Sequence, residues 1–203
     1  MIIIGAGGHA LSLAEFGGAK FEGYLAREAN PDMPGEWLGS DEQAEQLISN
    51  GKKFHMAFVY AGLPIMEARR LLIEKYKNIG AEFESLIAPS AIITPLAVIG
   101  AGSAIMQGAI INRAVVGENC VVNSGAIVEH HCNVGDNSFI GPGAVIGGFT
   151  NIGKNCFIGL GARISNGISI ADNITVAMGA IVTKSLTVPG IYHGCPLKLY
   201  PLK

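Results

Sequence analysis

Residues 116 to 182 read VGENCV VNSGAI VEHHCN VGDNSF IGPGAV IGGFTN IGKNCF IGLGAR ISNGIS IADNIT VAMGAI V, and every sixth position is aliphatic. The anchors are Val116, Val122, Val128, Val134, Ile140, Ile146, Ile152, Ile158, Ile164, Ile170, Val176 and Val182. A period of six is neither the helical period nor the alternation of a strand, and it marks a solenoid. Gly follows the anchor at Gly117, Gly135, Gly141, Gly147, Gly153 and Gly159. Four residues after the anchor stand Cys120, Ala126, Cys132, Ser138, Ala144, Thr150, Cys156, Ala162 and Ala180, all small. A bulky anchor and a small partner that both point inward suit a narrow triangular prism. Its faces are short parallel strands, and Gly supplies the unusual backbone angles at corners. Ile168, Ile174 and Leu186 break the small-residue rule and predict wider closing coils. Upstream, Ile87, Ile93, Ile99, Ile105 and Ile111 keep the same period, but Ile111 to Val116 is five residues, which predicts a tightened corner near Asn112 to Val115.

At 203 residues the chain is long enough for one large or two modest domains. Mean hydropathy is +0.39 and 15% of residues are charged, yet the apolar residues are spread at period six and interrupted by Gly, Pro and Asn, so no membrane span is expected. Met1 to Ile4 lack the basic flank and the length of a signal peptide, and a cytoplasmic protein is expected. The net charge of −2, with Lys and Arg scattered, gives no footprint for nucleic acid. Cys120, Cys132 and Cys156 share the inward small-residue position and read as compact core thiols, with Cys195 alone outside the register. No metal site is expected.

Before the repeats, Ile2-Ile3-Ile4 reads as a buried strand, followed by the turn Gly5-Ala6-Gly7-Gly8-His9 and a short helix over roughly Ala10 to Phe16. Strand, Gly-rich turn and helix is the order that brings backbone amides to an anion, and it is equally the order of an ordinary tight turn. Further strands are predicted at Phe21 to Leu25, Phe54 to Tyr60 and Glu82 to Ile87. Helices are predicted from Ser40, as N-cap, to Ser49 and from Pro64 to Tyr76. Alternating strands and helices imply a small parallel α/β unit. No Asp or Glu closes the second strand, where Leu25-Ala26-Arg27 stands, and this disfavours NAD.

Together the two parts resemble the hexapeptide-repeat nucleotide-sugar N-acetyltransferases, of the UDP-N-acetylbacillosamine and GDP-perosamine kind, with the sialic acid O-acetyltransferases grouped beside them. The resemblance is carried by Gly5 to His9, by Ala88-Pro89-Ser90-Ala91, by Asn123 to Cys132 with its Glu129-His130-His131, by Ile152 to Gly159, and by Gly190 to Lys198. It implies a Rossmann-like α/β domain over residues 1–85 that binds a nucleotide sugar, and a left-handed parallel β-helix over 86–203 that transfers the acetyl group of acetyl-CoA to a sugar amine. O-acetylation of a free sugar is the alternative within the same chemistry. His130 is then the general base, because the attacking amine must lose a proton and an imidazole with an ordinary pKa of ~6.5 takes it at neutral pH.

Relatives usually carry Asp or Glu directly after that His, to raise its basicity. Here His131 stands there, and Glu129 and His131 are the candidates for orienting the ring. In an extended segment both point away from His130, so a contact requires a corner. The resemblance further assigns Asn123 to the acceptor, Gly7, Gly8 and His9 to the nucleotide sugar, and Phe139, Gly159, Leu160, Met178 and Gly179 to acetyl-CoA. It implies a homotrimer with the site between subunits. Where relatives have an acidic pair after the second strand, this chain has Ala26 and Arg27. Two rival readings lie outside acyl transfer. A hexapeptide-fold zinc enzyme requires a His-x4-His spacing that the chain lacks, and a binding module leaves His130 incidental.

Overall fold

The structure, a computed structural model, describes residues 1–17, 21–58, 63–194 and 198–200. Its first unit is a sheet of four parallel strands, Ile2–Ile4 (β1), Gly23–Leu25 (β2), Glu36–Trp37 (β3) and Phe54–Met56 (β4), in the order β3-β2-β1-β4. Helices Gly8–Gly17 (α1), Ala44–Ser49 (α2) and Leu63–Asn78 (α3) cover it. An all-apolar β1 is explained by burial on both sides. Ile3 packs with Leu13 and Met66 toward the repeats, while Ile2 and Ile4 pack with Leu25, Ile73 and Tyr76 on the far side. Ser40 caps as expected: its hydroxyl accepts from the Glu42 amide, and the Gln43 side chain returns to the Ser40 amide.

The repeats form a three-sided prism with faces of five, eight and six strands, the left-handed parallel β-helix. Strands within a face pair in parallel with partners eighteen residues away, as in Val121↔Phe139 and Ile127↔Val145. Across Asn112 to Ala114 the interval drops to seventeen, as in Ala104↔Val121, Ile110↔Ile127 and Val98↔Val115. The short coil is therefore a three-residue corner, and Arg113 absorbs it at φ +46°. From Ile105 to Val182 every anchor is buried, and with the small partners they form one continuous core. The partners also explain themselves chemically. Ser103, Ser138 and Thr150 donate hydroxyl hydrogens to Gly117 O, Gly153 O and Ser165 O, and Cys120, Cys132 and Cys156 aim their thiols at Gly135 O, Gly147 O and Ala171 O. A small donor at that position satisfies a carbonyl of the next corner inside a dry core. Burial pushes the Cys120 thiol up to about 12 and that of Cys156 to about 11.

The first unit sits on the eight-stranded face. There the outward residues Leu86, Ala104, Val121, Phe139 and Phe157 are buried against Met1, Ala10, Leu13 and Met66. Two sequence expectations are corrected, and one element was not foreseen. Of the strand expected over 82–87, Phe83 alone reaches the first sheet, by a single bridge to Phe54, whereas Leu86–Ile87 pairs with Ala104–Ile105 and begins the prism. The two-residue edge strand β3 gave no periodic signal. The strand expected to reach Tyr60 ends at Met56, with residues 59 and 60 outside the described set. In the closing segment Gly190–His193 extends the eight-stranded face beside Ile174–Val176, while Cys195, Pro196 and Leu197 lie outside the described residues. Among the described residues no helix is long and apolar enough to cross a membrane.

Candidate active site

From Gly102 to Gly179 each corner of the prism contains one residue with positive φ, three places after the anchor except in the short coil, and the three edges use that position differently. Where the five-stranded face turns into the eight-stranded one, Asn119, Asn137, Asn155 and Asn173 occupy it in successive coils. Where the eight-stranded face turns into the six-stranded one, Gly108, Gly125, Gly143, Gly161 and Gly179 do. Gly and Asn are the residues that tolerate this conformation. The third edge departs from the rule, with Arg113 at φ +46°, His131 at +59° and Phe149 at +60° before Gly167 restores it. A bulky side chain in that region is strained, and strain of this kind gathers at functional sites.

His130 lies on this third edge, within a corner, so the neighbour contact that an extended chain forbids is made. Its Nδ1 is 3.1 Å from Nδ1 of His131. His131 stacks flat on Phe149, with centroids 4.8 Å apart and planes at 2°, and Phe149 meets the His130 ring edge-on at 5.1 Å and 86°. The ring of His130 rests over Gly148, where a Cβ would fall 2.8 Å from His130 Cε1. Nε2 of His130 has no hydrogen-bond partner among the described residues. Glu129, the other orienting candidate, turns to the backbone: its Oε2 accepts from the Asn112 side-chain amide at 3.0 Å and from the His130 amide N–H at 3.3 Å. Phe149, Gly148 and Asn112 escaped the sequence reading. The signal that reveals the first is the failure of the Gly-or-Asn rule at position 149.

The structure separates the remaining candidates. Asn123, Gly159, Leu160, Met178 and Gly179 share the glycine-lined edge, one face away from His130. Asn123 Oδ1 accepts from the Ser124 amide at 2.7 Å. Leu160 and Met178 are 50% and 76% exposed, and Gly159 is required because a Cβ there would meet the Met178 amide nitrogen at 2.5 Å. Phe139 is set apart from this group. It is buried under the α/β unit and stacked on Phe157 at 4.8 Å, so its side chain is committed to packing.

The Gly-rich turn frames a hollow of about 310 Å³ lined by Gly5, Ala6, Gly7, Gly8, His9, Ala57 and Phe58. Gly7 and Gly8 have open space where a Cβ would stand. The turn is pinned by Asn30, whose side-chain amide donates to Ala6 O at 2.7 Å. The His9 side chain points inward instead of into the hollow's mouth: Nε2 is buried without a partner. Burial first, then the neighbouring His55 and Arg69, lowers its pKa to about 3. A second hollow, of about 390 Å³ along the five-stranded face between Asn133, Asn151 and Ser169, is lined by no titratable side chain. Among the described residues no group of three or more His, Cys, Asp or Glu is gathered as for a metal ion.

Comparison with known proteins bears on the fold that carries these features. The family described as "Bacterial transferase hexapeptide (six repeats)" matches residues 113–148, and "Hexapeptide repeat of succinyl-transferase" matches 149–184. The acetyltransferase domain of PglB from Neisseria gonorrhoeae superposes with a TM-score of 0.88 at 27% identity, with 98% of each chain covered; it has also been solved with acetyl coenzyme A. PerB from Caulobacter crescentus, solved with CoA and GDP-perosamine, gives 0.87 at 29% identity over 98% of this chain and 96% of that one. WeeI from Acinetobacter baumannii, 21% identical with 98% of each chain covered, shares the fold at 0.75. No curated protein matches the chain by sequence.

Proposed function

We propose that this hexapeptide-repeat protein, built like PglB and PerB over nearly its whole length, is an acetyl-CoA-dependent N-acetyltransferase for a nucleotide-linked amino sugar, with His130 as its general base. The observation that carries the reading is an imidazole held by neighbouring rings on a strained corner, with Nε2 left free. The amine nitrogen attacks the thioester carbonyl carbon. As the C–N bond forms and the C–S bond breaks, the nitrogen's proton passes to His130 Nε2, and the departing thiolate is protonated from the imidazolium. The products are an amide and free CoA thiol, with the base restored.

The division of labour follows the architecture. Residues 1–85 hold the nucleotide at the turn of Gly7, Gly8 and His9, where His9 contributes its backbone because its ring is turned inward. Residues 86–203 carry the acetyl transfer. Gly159, Leu160, Met178 and Gly179 accept the pantetheine arm along the glycine-lined edge, and Asn123 on that edge contacts the acceptor.

One subunit does not bring that edge to its own His130, since the six-stranded face lies between them. A homotrimer in which the glycine-lined edge of one copy meets the His130 edge of the next completes the site. The outward residues of the intervening face support it, for they are aliphatic in five of six strands: Ile92 and Ile181 are 58% and 47% exposed, with Ile110, Ile127 and Val145 between them and Arg163 the one polar interruption. Replacing His130 with Ala is expected to lower kcat by about 10² to 10⁴-fold while acetyl-CoA still binds. Turnover at the native rate would exclude His130 as the base.

A further inference from the structure

We infer that His131 is the positioning residue of this base: it accepts a hydrogen bond from the Nδ1–H of His130, and it makes the active state depend on a second neutral imidazole. The inference rests on the reading of His130 as the base. A separation of 3.1 Å between two Nδ1 atoms requires one hydrogen between them. If Nε2 of His130 takes the substrate's proton, that nitrogen is bare in the resting enzyme and the ring's hydrogen is on Nδ1. His131 Nδ1 is then the acceptor, and the His131 hydrogen is on Nε2.

Three features hold the acceptor in place. The backbone at φ +59° turns the His131 side chain toward its neighbour instead of away from it. The parallel stack with Phe149 fixes the plane of the ring, and Phe149 itself occupies a position that other corners leave to Gly or Asn. Gly148 leaves the space that the His130 ring fills. Glu129 is the carboxylate nearest in sequence, and it is taken up by Asn112 and the His130 amide. From the coil below, the Arg113 carbonyl accepts the His131 amide N–H at 3.0 Å and fixes the backbone of the corner.

A carboxylate in this role accepts through either of two oxygens, whereas an imidazole accepts through one bare ring nitrogen, so the hydrogen bond depends on the His131 ring being held in this orientation.

The test compares His131→Asn and His131→Gly with the native protein, using acetyl-CoA and an amino sugar that it acetylates. Asn and Gly both suit φ +59°, so both variants are expected to fold, which their thermal midpoints verify. His131→Asn keeps an acceptor in its carbonyl oxygen and should retain kcat within about tenfold. His131→Gly should lose at least tenfold in kcat with KM for acetyl-CoA changed less than twofold. A His131→Gly variant with native kcat, or a His131→Asn variant no more active than His131→Gly, overturns the inference. A His130→Ala variant measured alongside separates the cases. If it stays active the base itself is misassigned, whereas its inactivation beside a fully active His131→Gly condemns only the positioning role.

Discussion

At the scale of single residues, the site is defined by what its corner tolerates. Phe149 has φ +60° and is 58% exposed, an arrangement that packing alone does not favour. Relieving the left-handed backbone is worth about 1 kcal/mol, and the lost ring contacts cost a similar amount. Phe149→Gly is therefore expected to leave the thermal midpoint within a few degrees of native while lowering kcat several-fold, because the His131 ring loses its support. Truncating an ordinary core Phe costs about 3–5 kcal/mol, and a loss of that size in thermal or urea unfolding would show Phe149 to be structural. Gly148→Ala is the sharper probe. Its Cβ would stand 2.8 Å from His130 Cε1 and 3.0 Å from Nε2, so the ring must move. We expect kcat to fall about tenfold or more with acetyl-CoA affinity nearly unchanged, since a displacement on the order of 1 Å in a reacting group costs up to about 10²-fold. A fully active Gly148→Ala protein would mean that the observed ring position is not the working one.

Elements are held by the edges as much as by the faces. Along the asparagine edge, Asn137 donates to Asn155 Oδ1 at 2.9 Å and to Met66 O at 3.1 Å, and Asn155 donates to Asn173 Oδ1 at 3.3 Å. At the buried end of this ladder the Arg69 guanidinium of α3 donates to Asn137 Oδ1, to Asn119 O at 2.7 Å and to Met56 O at 3.4 Å. Burial lowers the Arg69 pKa to about 10, since every acceptor it meets is neutral. Asn137 thus ties the α/β unit to the prism. Asn137→Gly keeps the backbone conformation but strands a buried cation's hydrogen and the Met66 carbonyl, at an expected cost of about 2–4 kcal/mol. Asn173→Gly, at the exposed end, should cost under about 1 kcal/mol. Urea unfolding of the two variants checks the contrast, and equal costs would contradict it.

The prism was legible at this scale because one inward residue per six is a strong and redundant signal, and even the five-residue step from Ile111 to Val116 appears as the seventeen-residue pairing at that corner. Strand β3 was not legible, because two edge residues have no period. The orientation of Glu129 and His131 was hidden for a related reason: it depends on where a corner falls and on which ring stacks from the coil above, neither of which adjacent letters specify.

For the whole molecule, two buried histidine rings of the α/β unit couple folding to pH. Burial pushes His55 down to about 4 and His9 to about 3, below the ordinary value of 6.5. Both are neutral in the folded chain, whereas the unfolded chain takes up protons below pH 6.5. Their contribution to stability is thus complete above that pH and is lost as the pH falls toward 4, at about 1.4 kcal/mol per pH unit for each group. The thermal midpoint should drop between pH 7 and pH 5. A His55→Leu variant, less stable throughout because the hydrogen bond between the His55 ring and the Glu84 carbonyl is lost, should fall less steeply; an unchanged slope would remove His55 from the account.

Acyl transfer itself is tested most directly by CoA thiol release from acetyl-CoA across UDP-, GDP- and dTDP-linked amino sugars, with the acetylated position located in the product. The account predicts thiol release well above the uncatalysed rate with at least one of them, the acetyl group on nitrogen, and none of this with His130→Ala. Release with no acceptor in the panel, or acetyl found only on a hydroxyl, would contradict it.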